Sequence, residues 1–135
     1  MTLGSDVSGL TTTAASAAAA QGLSIVVPLY NEAAGLAALH GRLIDLGRTL
    51  KARYGLASEV VYVDDGSADN TLAIARSLAA DALDVQVVSL SRNFGKEAAL
   101  MAGLDHARRG AVLFMDGDGQ HPPSLVEKLV SHWID

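Results

Sequence analysis

Asp116 and Asp118 stand one glycine apart at the end of the apolar run "AVLFM", and Gln120 and His121 follow at once. Carboxylate and amide oxygens are hard donors, suited to Mg2+ or Mn2+ rather than to zinc. Two aspartates at this spacing can turn towards one ion, or towards an ion carried by a diphosphate. The cation there offsets charge developing on a phosphate leaving group. An Asp-Gly turn explains the same residues when they are taken in isolation, because Asp-Gly is a common turn pair. The chemical reading moves ahead because three more polar clusters punctuate the chain in the same way.

Those clusters are "PLYNE" at 28–32, "DDGS" at 64–67 and "SRNFGK" at 91–96. Tyr30 can pack against a base and Glu32 can hydrogen-bond a nucleoside. A boundary core role for Tyr30 and a turn or helix-cap role for Asn31 explain the first cluster equally well on its own. In the second, Ser67 or Asp69 suits a helix cap, while Asp65 can accept from a base N–H edge or a ribose hydroxyl. Asp64 suits a structural role, receiving backbone N–H groups of the neighbouring loop. In the third, Arg92 and Lys96 flank Gly95 at a helix start, a place that attracts anions. A solvated surface role competes for both cations, more strongly for Arg92. "RNFGKE" is no Walker loop, since it lacks the first glycine and the Ser/Thr after lysine. His121 suits fixing its own loop, and His40, His106 and His132 fall on helix patterns as surface or core filler.

The intervening segments must position these clusters. "LSIVVPL", "EVVYVDD", "DVQVVSL" and "AVLFMD" read as strands. Leu36, Leu39, Leu43, Leu46 and Leu50 form the apolar stripe of a helix. Leu72, Ile74, Ala75, Leu78 and Ala79 suit a second helix and "GKEAALMAGLDHARR" a third. Pro122 and Pro123 open a fourth, running towards Trp133, because a proline N–H is not needed there. Strands alternating with helices call for an α/β fold with a mainly parallel sheet covered on both faces. The near-continuous apolar strands are those of a sheet buried on both sides. A strand order of 3-2-1-4 sets the order reversal between strands one and four, where open α/β sheets bind ligands.

Composition narrows the class. The 135 residues are half hydrophobic and carry a formal charge of −5, which suits one globular domain and argues against a nucleic-acid partner. There is no cysteine, so disulfides, thiolate metal sites and Cys nucleophiles are excluded. Residues 1–22 are a Ser/Thr/Ala/Gly tract without the basic start and apolar run of a secretory signal, and they read as a disordered leader. No segment approaches the roughly 18 consecutive apolar residues of a membrane span.

In order and spacing, "SIVVPLYNEAAGL", "VVYVDDGSADNT", "LSRNFGKEAALMAGLDHA" and "LFMDGDGQHPPSLV" resemble the family 2 glycosyltransferases of GT-A fold. The subgroup most similar includes dolichol-phosphate mannosyltransferase and undecaprenyl-phosphate sugar transferases. The resemblance spans residues 23–135 and implies a GT-A, Rossmann-like three-layer sandwich. It also implies an inverting, Mg2+- or Mn2+-dependent transfer of a sugar from a GDP- or UDP-sugar to a polyprenyl phosphate. Pro28, Tyr30, Glu32, Val63 and Asp65 would contact the nucleoside. Asp116 and the Gly117 backbone would approach the nucleotide or sugar, and Asp118 and Gln120 would ligate the metal; Lys96, read from its helix start, joins them as a contact of the anionic donor. Asp116 and Asp118 are thus the catalytic pair. The subgroup works in cell-envelope or glycan biosynthesis, at the cytoplasmic face of a membrane when a further region anchors it.

Three departures from the family pattern carry expectations. Gly117 and Gly119 replace larger residues, which should loosen the loop. Ala68 replaces a threonine and removes a capping hydroxyl. The chain stops at Asp135, before the family's acceptor-side segment with its later arginines. That implies a fragment, and leaves a nucleotide-sugar-binding module without turnover as the alternative. A doubly wound signalling domain whose Asp pairs bind Mg2+ is a third reading, which does not need four polar clusters.

Overall fold

A computed structural model describes residues 22–118 and 123–134. Most of the expected leader, together with Gly119, Gln120, His121 and Pro122, lies outside the described residues. The elements alternate as read from the sequence. They are β1 (Leu23–Leu29), α1 (Leu36–Tyr54), β2 (Ser58–Asp64), α2 (Thr71–Ser77), β3 (Asp84–Ser89), α3 (Lys96–His106), β4 (Ala111–Phe114) and α4 (Pro123–Ile134). The four strands form one parallel sheet in the order β3-β2-β1-β4. β1 and β4 are therefore neighbours despite their separation in sequence.

The α1 stripe is the main seal of the core. Leu36, Leu39, Leu43, Leu46 and Leu50 are all buried. They pack with Ile25, Val27, Leu29, Val60 and Tyr62 of the sheet, Ala75 of α2, and Val126 and Val130 of α4. On the opposite face Val26, Val61 and Val63 pack against Ala99 of α3. Burying apolar area in two layers around the sheet is what holds it, at about 25 cal/mol per Å².

α3 approaches the sheet through small residues: only Ala99 and Gly103 are buried along it. A Cβ on Gly103 would lie 2.2 Å from Val26 Cγ1, so no larger residue fits there without displacement. Coverage of the sheet is uneven. β1 and β2 are buried almost throughout, whereas β3 and β4 are half-buried, with Ser89 and Phe114 exposed. The expectation that every strand is covered on both faces therefore fails for these two, because each lies at an edge of the described sheet.

Polar side chains buried in the sheet find partners, with Ser58 Oγ and Asp64 Oδ1 as exceptions among the described residues. His40 Nε2 donates to the Ala79 carbonyl at 2.9 Å, which makes Nδ1 the acceptor for the Tyr62 hydroxyl at 2.8 Å. Burial pushes the Tyr62 phenol well above its ordinary range. His40 thus fills the core, as its place on the helix pattern suggested. At the opposite end of the sheet from the strand tips, Glu59 is buried on β2. Its carboxylate accepts from Ser24 Oγ at 2.6 Å, the Arg108 N–H at 2.7 Å and Gln86 Nε2 at 2.9 Å. These bonds tie β1, β2, β3 and the α3–β4 connection together.

Burial alone would raise the Glu59 carboxyl. The bonds from Ser24, Arg108 and Gln86, with the Arg108 charge, outweigh it and hold the group below its ordinary value. A depressed folded-state pKa contributes stability above the unfolded value, and that stability is lost as pH falls through the folded one. Glu59→Gln is expected to lower unfolding stability by roughly 1–3 kcal/mol at pH 7, the usual scale for disrupting a buried charged hydrogen-bond set. The difference from the unsubstituted chain should shrink below about pH 4, as measured by urea denaturation across pH. A pH-independent difference would rule out the ionised network.

Candidate functional site

The strand tips meet because the ladders run one residue past each strand. The Asp65 N–H donates to the Leu29 carbonyl at 2.8 Å, and the Met115 N–H to the Val26 carbonyl at 2.9 Å. Pro28, Leu29, Tyr30, Glu32, Asp65, Asn93, Gly95, Lys96, Asp116, Gly117 and Asp118 line the resulting cleft, whose volume is about 390 Å³. It opens between β1 and β4, at the order reversal where ligands bind in open α/β sheets.

Asn31 fixes the β1–α1 loop. Its backbone is left-handed, with φ 54°. Its Oδ1 accepts from the Ala68 N–H at 2.8 Å and the Asp69 N–H at 3.3 Å, while its own N–H donates to Ser67 Oγ at 2.9 Å. The Glu32 N–H donates to Thr71 Oγ1 at 2.9 Å, and the Ala33 N–H to Asp69 Oδ2 at 3.3 Å. The loops after β1 and β2 are thereby laced together, which sets Tyr30 and Glu32 at the rim. Asn31 acts as a turn former; α1 has Gly35 at its N-cap, with no side-chain cap bond. Neither cap candidate holds the N-cap of α2, which is Asn70 with no side-chain cap bond: Asp69, one residue earlier, accepts from the Thr71 N–H at 3.0 Å, and Ser67 serves Asn31.

Two glycines permit the closest approaches. Gly66 has φ +70°, and a Cβ on it would lie 2.3 Å from the backbone of Arg92 and Asn93. A Cβ on Gly117 would lie 2.6 Å from the Pro28 carbonyl oxygen. Gly117 is buried, so at this position the glycine gives tight contact between β1 and the segment after β4 rather than the looseness expected of it. Gly119, the other glycine of that expectation, lies outside the described residues.

The carboxylates differ in their surroundings. Asp65 is buried and accepts from the Phe94 N–H at 2.8 Å and the Gly95 N–H at 3.1 Å, so it holds the β3–α3 loop while lining the cleft. A carboxylate has about four lone-pair sites, which leaves acceptor capacity for a further donor. Asp64 accepts from the Ser67 N–H at 3.4 Å, the loop-binding role expected of it. Its Oδ1 is enclosed without a hydrogen-bond partner. Asp116 forms an ion pair with Lys96. Glu32 is raised above its ordinary value, first by partial burial, then by the charges of Asp118 and Asp69.

Pro28, Tyr30, Glu32, Asp65, Lys96, Asp116, Gly117 and Asp118 are thus brought to one cleft. Val63 is not: its side chain is fully buried beneath α3, because strand alternation turns Val61 and Val63 to that face. Arg92 stacks on the exposed Phe94 ring at 4.6 Å and is not a lining residue. Asn93 does line the cleft. An amide beside two cations is the sequence signal for it.

A divalent cation fits the chemistry of the mouth. Asp118 raises Glu32 by like charge, a repulsion that a cation would relieve. Among the described residues no group of three or more His, Asp or Glu side chains forms a complete metal cage. Mg2+ characteristically takes one or two carboxylates and completes its shell with phosphate and water. Asp118 is the described member of the expected ligand pair, and Gln120, the other, lies outside the described residues.

Comparison with known proteins gives consistent results. The sequence model of the family described as glycosyl transferase family 2 matches residues 24–135. The undecaprenyl-phosphate 4-deoxy-4-formamido-L-arabinose transferase of Pseudomonas fluorescens is 39% identical over 109 residues, 80% of this chain and 31% of its own length. The structure of Staphylococcus aureus TarS 1–349 in complex with UDP-GlcNAc superposes with a TM-score of 0.66 at 28% identity, over 82% of this chain and 30% of that one. A mannosyltransferase from Pyrobaculum calidifontis, in complex with GDP-Man and Mn2+, superposes with a TM-score of 0.61 at 28% identity, over 71% of this chain and 27% of that one. The chain spans about a third of the length of the curated relatives it matches.

Asn31→Ala removes the acceptor for two exposed amides, which water can then serve, and places a residue without a polar side chain in a left-handed conformation. A loss of roughly 1 kcal/mol is expected, the low end of the range for a strained backbone position. Asn31→Gly relieves the backbone strain alone and should recover part of it. Denaturant unfolding of both variants provides the check, and no loss in either would remove the laced loops as a determinant of stability.

Proposed function

The chain belongs to glycosyl transferase family 2, and on that premise we propose that it forms the donor-binding part of an inverting, metal-dependent transferase. Such an enzyme moves a sugar from a nucleotide diphosphate to a polyprenyl phosphate. The observation that carries this reading is the meeting of four strand-tip clusters in one cleft, which combines an exposed aromatic ring, several carboxylates and a lysine. The relatives named for undecaprenyl phosphate, and the neighbours bound to UDP-GlcNAc or to GDP-Man with Mn2+, support it.

Each residue then has a defined task. Tyr30, half-exposed at the rim, offers its ring to the base. Glu32 and the remaining lone pairs of Asp65 accept from base or ribose donors. Asp116 and the Gly117 backbone face the ribose and sugar side. Asp118 and Gln120 would hold Mg2+ or Mn2+, which when bound shields the diphosphate and eases its departure. The acceptor needs no strong base from the protein. A phosphate monoester has its second pKa near ~6 and is largely ionised at neutral pH. Its oxygen attacks the anomeric carbon opposite the departing diphosphate, which inverts the configuration.

Among the described residues no helix is long and apolar enough to cross a membrane. The acceptor would be met at the cytoplasmic face of a membrane by the whole protein. A donor-binding module without turnover is the second reading.

Calorimetric titration with UDP- and GDP-sugars, with and without Mn2+, is the test. One of the two donors should bind in a Mn2+-dependent way, and Asp118→Ala should weaken that binding at least about tenfold, the loss typical of one metal contact. Metal-independent binding that is unchanged by Asp118→Ala would refute the site. With polyprenyl phosphate added, transfer supports the enzyme reading, and binding without transfer supports the module.

A further inference from the structure

The following deepens the reading above and rests on it. Lys96 is the only basic residue among the described residues that line the cleft. It opens α3, which packs over β1 and β2, yet its ammonium reaches across to Asp116 beyond the end of β4. Asp116 is largely enclosed, with its side chain 22% exposed, while Lys96 is 60% exposed. The pair therefore joins a fixed carboxylate to a long, solvent-facing arm. Gly95 precedes Lys96, and its N–H is held by Asp65 at 3.1 Å, so the base of the arm is anchored while its tip is not confined by burial.

We infer that Lys96 makes capture of the divalent cation conditional on the donor. Before the donor arrives, the ammonium sits on Asp116 and opposes an approaching Mg2+ or Mn2+. A diphosphate concentrates more negative charge than one carboxylate and draws the ammonium to itself. The ammonium's charge is then offset by the diphosphate and no longer opposes a cation that Asp118, two residues from Asp116, would hold. Donor and cation thus bind with positive coupling, and linkage requires the effect to be equal in both directions. Its place at a helix start assigns Lys96 to the anionic donor alone. The ion pair adds that the same side chain acts against premature metal binding.

The test follows free Mn2+ by its electron paramagnetic resonance signal, using the 135-residue chain, Lys96→Met and Lys96→Arg, each with and without UDP and GDP. Without nucleotide, Lys96→Met should bind Mn2+ about three- to fivefold more tightly than the unsubstituted chain, the scale of losing one partly exposed ion pair. It should bind the nucleotide more weakly without metal. The factor by which nucleotide tightens Mn2+ should shrink in step, and Lys96→Arg should stay near the unsubstituted chain. Nucleotide-dependent Mn2+ binding by the unsubstituted chain, with Mn2+ affinity unaltered or weakened in Lys96→Met, would overturn this inference alone. Absence of any nucleotide-dependent Mn2+ binding in the unsubstituted chain would overturn the site reading and this inference with it. A thermal melt of each variant separates these outcomes from loss of fold.

Discussion

The site depends on backbone approaches too close for a Cβ. The loop after β2 meets the loop after β3 at Gly66, and the tip of β4 meets β1 at Gly117. At both points carbonyl and amide groups lie where a methyl would collide. Asn31 adds the third fastening by serving the amides of Ala68 and Asp69 while in a left-handed conformation. These loops therefore have little freedom to spread. Catalytic and binding groups held in this way need less reorganisation when a ligand arrives, which is the main route by which enclosed dipoles and charges gain strength.

That rigidity is set against a local excess of negative charge. Glu32, Asp65, Asp116 and Asp118 share one cleft with a single lysine among the described lining residues. Asp65 is balanced by amides of the β3–α3 loop and Asp116 by Lys96. The Glu32 carboxyl is raised first by partial burial and then by the charges of Asp118 and Asp69. The opposite end of the sheet shows the contrary arrangement. Glu59 there is satisfied from several elements and its charge favours the fold.

The legible parts of the sequence were those in which side-chain type and spacing report on burial directly. Leu36, Leu39, Leu43, Leu46 and Leu50 announced α1 because a helix that covers a sheet must carry such a stripe. The alternation of elements announced a parallel sheet, its order 3-2-1-4 being set by tertiary structure, and the polar clusters at 28–32, 64–67, 91–96 and 116–118 marked the strand tips. Illegible were the positions whose role lies in a distant partner. Asn93 looked like part of a basic turn. Asp65 looked like a ligand group alone, yet it also holds a loop some thirty residues away. Val63 lay within a motif that faces the cleft, but its side chain turns into the core.

Local pattern by itself determined the alternating α/β layout, the apolar faces and the set of residues gathered at the strand ends, because periodicity and turn chemistry act over a few residues. Only the tertiary structure decided which carboxylate is neutralised by which partner, which glycine is demanded by contact rather than by a turn, and which strands remain half-covered. Those outcomes depend on distances between segments far apart in the chain, such as Lys96 to Asp116 or Gly66 to Arg92. Packing of α3 on β1 and β2 sets such distances, and no spacing along the sequence encodes them.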